Sequence, residues 1–474
     1  MIFAGEKQDG SRADVQTLRT GYILGVSLAG ALGGLLFGYD WVVIGGAKPF
    51  YEQFFHLTEA SQRGWAMSCA LIGCLLGALA AGGLSDRYGR KKLLIVSAIV
   101  FAVSSIGTAM ANTFAGFVLW RMAGGTAIGI ASSLSPVYIA EIAPAKLRGK
   151  LVSLNQLTIV IGILLAQIAN WLIAQPVPAN ATGLQILHSW NGQIGWRWMF
   201  GATAVPSMLF LAAMFLVPES PRWLVKNGIR DRARQVLSRV GGLAYADQAL
   251  SDIQASLRPG SEKMDLHALR NPKLMKILAI GVVLAVLQQW CGINVIFNYA
   301  EEVFSAAGYP LSDVLFNIVV TGSVNLLFTL VAFGIVDKQG RRALLLFGSM
   351  GLAVIYSLLG LFYHLHTQGV HMLILVVAAI ACFAMSLGPV TWVVIAEIFP
   401  NRVRGVATSI AVTALWLACF ILTYTFPLLN EALGPAATFW IYAGICFAGF
   451  IFVKATLPET KGKTLEEIEQ SWKV

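Results

Sequence analysis

The sequence predicts an all-α membrane protein whose twelve transmembrane helices form two six-helix repeats. Three observations predict it: an apolar composition, uncharged runs long enough to cross a bilayer, and charged signatures that occur twice at a nearly constant spacing. Hydrophobic residues fill 57% of the 474 positions and charged ones only 12%, about half the share usual in soluble domains. Mean hydropathy is +0.70. Leu93 to Trp120, Met122 to Ala140, Leu151 to Trp196, Ala343 to Ala396 and Val406 to Asn430 contain no Asp, Glu, Lys or Arg. Each run holds one or two spans of roughly 20 residues.

Reading apolar runs against polar breaks places the first six spans near 22–46, 64–85, 93–111, 114–140, 150–174 and 197–217. The second six lie near 275–304, 313–336, 343–363, 371–396, 405–429 and 436–457. An N-terminal tail (1–21), a six-helix bundle (22–217), a linker (218–273), a second bundle (274–457) and a C-terminal tail (458–474) follow. The linker is rich in Arg, Lys, Asp and Gln, with helical patterning over Arg230 to Val240 and Tyr245 to Leu257. The first 19 residues mix both charge signs, which is not the pattern of a cleaved signal peptide.

Charge sets the orientation. The chain carries a net +10, and of its 34 Lys and Arg only Lys48, Arg63 and Arg197 are placed outside and Arg121 within the membrane; the other 30 share one face. This is the positive-inside bias of a plasma-membrane protein, the inner membrane in a bacterium, with both termini cytoplasmic. It points away from nucleic acid as the partner of the basic charge. The six cysteines lie in apolar runs without metal-ligand spacing and are read as small core residues. The six histidines fall in loops or span ends and form no acid, base or metal constellation, so neither an enzyme nor a cofactor is expected. Asn180, Ala181 and Thr182 form a glycosylation acceptor pattern too common to carry weight.

The halves repeat each other. Asp86-Arg87-Tyr88-Gly89-Arg90 recurs as Asp337-Lys338-Gln339-Gly340-Arg341, an offset of 251. Glu141 with Pro144, Arg148 and Gly149 recurs as Glu397 with Pro400, Arg404 and Gly405, an offset of 256. Pro218-Glu219-Ser220 after the sixth span is echoed by Pro458-Glu459-Thr460 after the twelfth. A parallel duplication of six-helix bundles follows.

These signatures, with Pro218-Glu-Ser-Pro-Arg-Trp-Leu224 and Pro458-Glu-Thr-Lys-Gly462, closely resemble the sugar porter family of the major facilitator superfamily, and within it bacterial proton-linked monosaccharide symporters. The resemblance runs from about Gly33 to Glu467 and implies the major facilitator fold, with a cavity between the halves that opens alternately to either side. It implies a cytoplasmic gate made by Asp86, Arg87, Arg90, Glu141, Arg148, Glu219, Arg222, Asp337, Arg341, Glu397, Arg404 and Glu459. Pairs among these charges are expected to hold the two halves together on the inner face. It also implies a protein functional as a monomer in the bilayer.

A sugar offers hydroxyls that donate and accept, which carboxamides answer, and weakly apolar C–H faces, which aromatic rings answer by stacking. Gln288, Gln289, Asn294 and Asn298 would spread around more than half of an ideal helix. Gly292 between them permits a break that turns them to one cavity. Gly388 and Pro389 are expected to break the tenth span one turn before Trp392. A lone buried amide is read as an interhelical hydrogen bond worth roughly 0.6–2 kcal/mol, and Gln167 is so read. For Gln156, Gln288, Gln289, Asn294, Asn325 and Trp392 the resemblance implies sugar contact, with Phe37, Phe383, Gly388 and Trp416 beside them. Asn298 stands where relatives carry an aromatic residue and Leu415 where they carry an amide, so selectivity is not transferable.

Asp40 is the only acid of the first span and Arg121 the only cation of the fourth. An ionised side chain at mid-bilayer costs about 2.5–3.5 kcal/mol on insertion scales, so the two are expected to pair. A proton on Asp40 would loosen the pair, and the resemblance implies proton coupling from an Asp after Phe37-Gly38-Tyr39. The expected function is therefore import of a hexose or pentose with a proton. A passive uniporter differs by the titration of Asp40, and a sugar sensor that moves nothing differs by transport itself. An organic-anion carrier would need more cationic clamps than Arg121.

Overall fold

The structure is a computed structural model that describes residues 18–145, 147–178, 181–256, 271–399, 403–459 and 461. The first seventeen residues, Asn180 of the acceptor pattern, residues 257–270 of the linker and the tail from 462 lie outside them, as do the side chains of Asp337 and Arg404. The described residues form helices throughout: α1 (Thr20–Phe54), α2 (Ala60–Tyr88), α3 (Arg90–Ala109), α4 (Phe114–Ile142) and α5 (Arg148–Ile173) come first. A short α6 (Gly183–His188) in the loop precedes the sixth span, made of a π turn, α7 (Trp196–Ala202) and α8 (Ala204–Leu216). The linker folds as α9 (Pro221–Lys226) and α10 (Arg230–Ser256), kinked at Gly241 and Gly242. Leu224, Val225, Ala233 and Val236 give these two helices a small core of their own.

The second half contains α11 (Pro272–Trp290), α12 (Ile293–Asn298), α13 (Ala300–Ala306), α14 (Leu311–Gln339), α15 (Arg341–His364), α16 (Val370–Met385), α17 (Leu387–Ile398) and α18 (Arg404–Thr456). Eleven stretches are long and apolar enough to cross a membrane, and the last of them, Val406–Thr456, has 51 residues. At 1.5 Å per residue it would reach about 76 Å, more than twice a hydrocarbon core. Gly434, at φ 77°, and Pro435 break it into two antiparallel spans, so the chain crosses twelve times, as the sequence pattern predicts.

Two boundaries differ from the sequence reading. The first helix continues two turns past residue 46, to Phe54, and carries Lys48 and Glu52 inside the packed protein. Pro49 does not stop it, because a proline is compatible with a helix where local adjustment absorbs the lost donor. The tenth span breaks at Ser386 (φ −132°, ψ −94°), two residues before Gly388. Pro389 then occupies the first turn of α17, where a missing N–H leaves no hydrogen bond unmade.

The duplicated signature has a local physical cause. Gly89 and Gly340 link α2 to α3 and α14 to α15 with φ of 97° and 92°, a region that residues with a Cβ rarely enter. The Glu219 carboxylate sits against the first turn: Oε1 accepts from the backbone N–H groups of Arg90 and Lys91, both at 3.0 Å. In the second half Glu459 accepts from Arg341 N–H at 3.0 Å and Arg342 N–H at 3.1 Å. A carboxylate thus satisfies orphan donors and meets the positive end of the helix dipole. A Cβ added at Gly89 or Gly340 would lie 2.4 or 2.6 Å from that carboxylate. Gly340→Ala should therefore lower stability by about 1–3 kcal/mol. Gly82→Ala, inside α2 where a Cβ meets nothing within 4 Å, should instead raise it by roughly 0.5–1 kcal/mol; thermal unfolding of the two purified variants checks the contrast.

Candidate functional site

The N-terminal half holds its ion pair at depth. Arg121 Nη1 donates to Asp40 Oδ1, with Asp40 6% and Arg121 5% exposed, and the guanidinium lies 5.4 Å from the Phe200 ring. Two small cavities touch the pair. One is lined by Phe37, Trp41, Cys74 and Asn298; the other is lined by Ser104, Ser105, Thr108 and Thr203. The carboxylate thus lies between a hydroxyl-lined hollow inside its own bundle and a hollow shared with the other half. Asn298 is buried and its Oδ1 accepts no hydrogen bond among the described residues. The structure groups it with Asp40 and Arg121 around one cavity.

The C-terminal half supplies the amides. α11 ends at Trp290 and α12 begins at Ile293, because Gly292 takes the left-handed conformation at φ 84°. The expected break is there. Across it Asn294 Nδ2 donates to Gln289 Oε1, Gln289 Nε2 donates to Gln288 Oε1 at 3.0 Å, and Gln288 Nε2 donates to the Gly388 carbonyl at 3.2 Å. One chain of amides therefore joins the break in the seventh span to the first turn of α17. Asn325 is buried, Gln156 and Phe383 are half-buried, and Trp392 on α17 is exposed. Phe383 packs on Gly388, where a Cβ would stand 3.0 Å from the ring. Phe37 and Trp416 meet edge to face with centroids 5.7 Å apart. Trp41 joins them at 5.5 and 6.4 Å; the sequence reading missed it, although it follows Asp40 directly.

On the basic face several of the charges expected at the gate form ion pairs. Arg90 pairs with Glu141 and Asp86, both at 3.1 Å, Lys226 pairs with Asp86 at 2.9 Å, and Arg341 pairs with Glu397 at 3.3 Å. Each of these pairs lies within one half. Glu219 and Glu459 cap helices of their own bundles, Ser220 Oγ donates to Glu141, and Arg87 lies over the Tyr88 ring at 5.2 Å. Arg148 is exposed and Arg222 half-buried. Arg222, Arg341, Glu397 and Glu459 each engage a further partner.

The halves meet through charges on the opposite face. Lys48 of α1, 2% exposed, has its ammonium 2.7 Å from Glu302, 3.4 Å from Glu301 and 3.3 Å from Glu52. Arg63 of α2 pairs with Glu431 of α18 at 3.1 Å. Backbones approach closely here too: a Cβ on Gly64 would lie 2.4 Å from the Tyr424 carbonyl oxygen. The sequence signal for this cluster was the four-residue spacing of Lys48 and Glu52, hidden by ending the first span at 46.

Two six-helix bundles related by duplication, with a buried ion pair in one and a broken-helix amide site in the other, define a polytopic membrane transporter. The family model described as "Sugar (and other) transporter" matches residues 26–472, and the chain belongs to that family. It is 38% identical over 482 residues to the D-xylose-proton symporter of Escherichia coli K12, covering 95% of this chain and 96% of that one. It is 39% identical over 454 residues to the arabinose-proton symporter of Bacillus subtilis, covering 95% of each. The inward-open structure of the xylose transporter XylE from E. coli superposes with a TM-score of 0.83 at 37% identity, covering 95% of this chain and all of that one.

Removing one partner of a buried pair strands the other charge, which costs about 3–5 kcal/mol. Arg121→Gln should accordingly unfold at markedly lower temperature than the double variant Asp40→Asn/Arg121→Gln. A double-mutant cycle by thermal unfolding in detergent reads that coupling.

Proposed function

We propose that the chain imports a monosaccharide, a hexose or pentose, together with a proton by alternating access, acting as a monomer in a plasma membrane with its basic face and termini in the cytoplasm. The observation that carries this reading is the amide chain Asn294–Gln289–Gln288–Gly388 built across two helix breaks. Such a chain has unused donor and acceptor capacity on every member. A bound sugar hydroxyl exchanges one amide bond for two of its own, and the rings of Phe37, Trp416 and Trp392 offer faces to its C–H bonds. Gln156, Asn325, Phe383 and Asn298 complete the proposed lining. Sugar–proton symport by the similar E. coli and B. subtilis proteins supports the assignment.

The proton is assigned to Asp40. Protonation removes the charge that holds Arg121, so the N-terminal half repacks between a paired and an unpaired form. The cavity lined by Asp40, Arg121, Trp41 and Asn298 supports this reading, since Asn298 belongs to the seventh span, where the amides are. In proteoliposomes, Asp40→Asn should abolish uphill sugar accumulation and retain sugar counterflow. Gln288→Ala should weaken sugar binding by about tenfold or more, since each buried amide contact to a hydroxyl is worth roughly 1–3 kcal/mol. Accumulation at the wild-type level by Asp40→Asn would overturn the coupling, and unaltered binding by Gln288→Ala would overturn the site. A panel of pentoses and hexoses in the same binding assay identifies the sugar.

A further inference from the structure

We infer that the Lys48 cluster is a second proton-binding site of this transporter, at which Glu52 takes up a proton as the outer face closes. The closed face brings three carboxylates, Glu52, Glu301 and Glu302, within 3.4 Å of one ammonium. A single lysine neutralises one of them. Buried like charges at this range do not all ionise; one keeps its proton.

Hydrogen bonding selects which. Glu301 Oε1 accepts from Ser305 Oγ at 3.2 Å and Glu302 Oε2 from Asn430 Nδ2 at 3.5 Å. Glu52 has the most enclosed side chain of the three acids, 10% exposed, and its buried Oε1 has no hydrogen-bond partner among the described residues; Glu302 Oε1 likewise has none but lies 2.7 Å from the Lys48 ammonium. The other groups facing it are committed elsewhere: Arg63 to Glu431, Tyr51 OH to Met67 Sδ, and Tyr299 OH to the Thr423 carbonyl. The charges that act on Glu52 are those of Lys48, Glu302, Glu301 and Arg63.

Opening the outer face separates α1 from α13. Lys48 then keeps only Glu52, four residues on along its own helix, as a one-to-one pair in water. That pair favours the carboxylate, so the proton leaves. The group binds its proton more tightly when the face is closed, and by linkage an acidic exterior favours closure.

The inference rests on the alternating-access reading, and its test uses neither sugar nor gradient, so the two fail separately. Met110 and Leu365, exposed ends of α3 and α15 in opposite halves, take spin labels as M110C and L365C; the six native cysteines are buried. Pulsed-EPR distances in nanodiscs are recorded between pH 5.5 and 8. The ratio of short to long distances should rise on acidification, by up to about tenfold for each pKa unit separating the two states. The response should survive in H56N, which removes the exposed His56. It should vanish in E52Q, which stays closed at every pH. It should vanish as well in the E301Q/E302Q double variant, where Lys48 and Glu52 balance without a proton. Distances that do not respond to pH in the parent or in H56N, or a response in either E52Q or E301Q/E302Q equal to that of the parent, would overturn the inference.

Discussion

Everything in this structure follows from what a bilayer does to charge. Each ionised group at depth is held against an opposite one, or against the donors of a helix end, because neither lipid nor packed protein solvates it. Asp40 and Arg121 satisfy the rule inside one bundle, and Lys48 with its carboxylates satisfies it between bundles. The difference is consequential. A pair within a bundle survives any rigid-body motion of the halves, whereas a pair between them exists in only one arrangement.

The duplicated signatures fall on the first side of that division. Glu219 and Glu459 bind the second turn-forming segment of each half to the start of α3 and α15, and Arg90 and Arg341 bind those same turns to Glu141 and Glu397. Lys91 Nζ adds a bond to the Val217 carbonyl at 2.7 Å, and Arg342 one to the Lys454 carbonyl at 2.7 Å. These contacts tie the third span of each half to its fourth and sixth. They make each bundle stiff on the basic face, which lets the two halves move as bodies and confines the changes to the surfaces between them.

Much of this was legible in the residues. Twelve spans follow from where charges are absent, the pairing of Asp40 with Arg121 from the cost of leaving either alone, and the break at Gly292 from four amides that no straight helix can face one way. What escaped the sequence depended on three-dimensional neighbours. The charges of the Asp-Arg-x-Gly-Arg turns are consistent with partners in either half, and only the fold shows the returning Pro-Glu segment bonding the turn of its own half. Gly388 and Pro389 are the residues most often found at helix breaks, yet the backbone turns at Ser386, whose hydroxyl bonds the Cys382 carbonyl while the proline starts the next helix. Lys48 looked like the end of a span because lysine is expensive in lipid. Glu301 and Glu302, about 250 positions away, make it affordable within the fold.

The first helix connects these devices. Asp40 and Glu52 lie twelve residues apart on one unbroken rod, about 18 Å along its axis and roughly 120° around it. Asp40 therefore faces Arg121 in its own bundle while Lys48 and Glu52 face α13 in the other. Because the rod moves as one body, its end beside α13 registers whether the halves are together. Its middle borders the cavity shared with Asn298, so motion at that level changes the surroundings of the Asp40 carboxylate directly. Coupling between the ion pair and the outer closure then needs no relay of side chains across the bundle: the helix backbone itself carries displacement from one charge to the other.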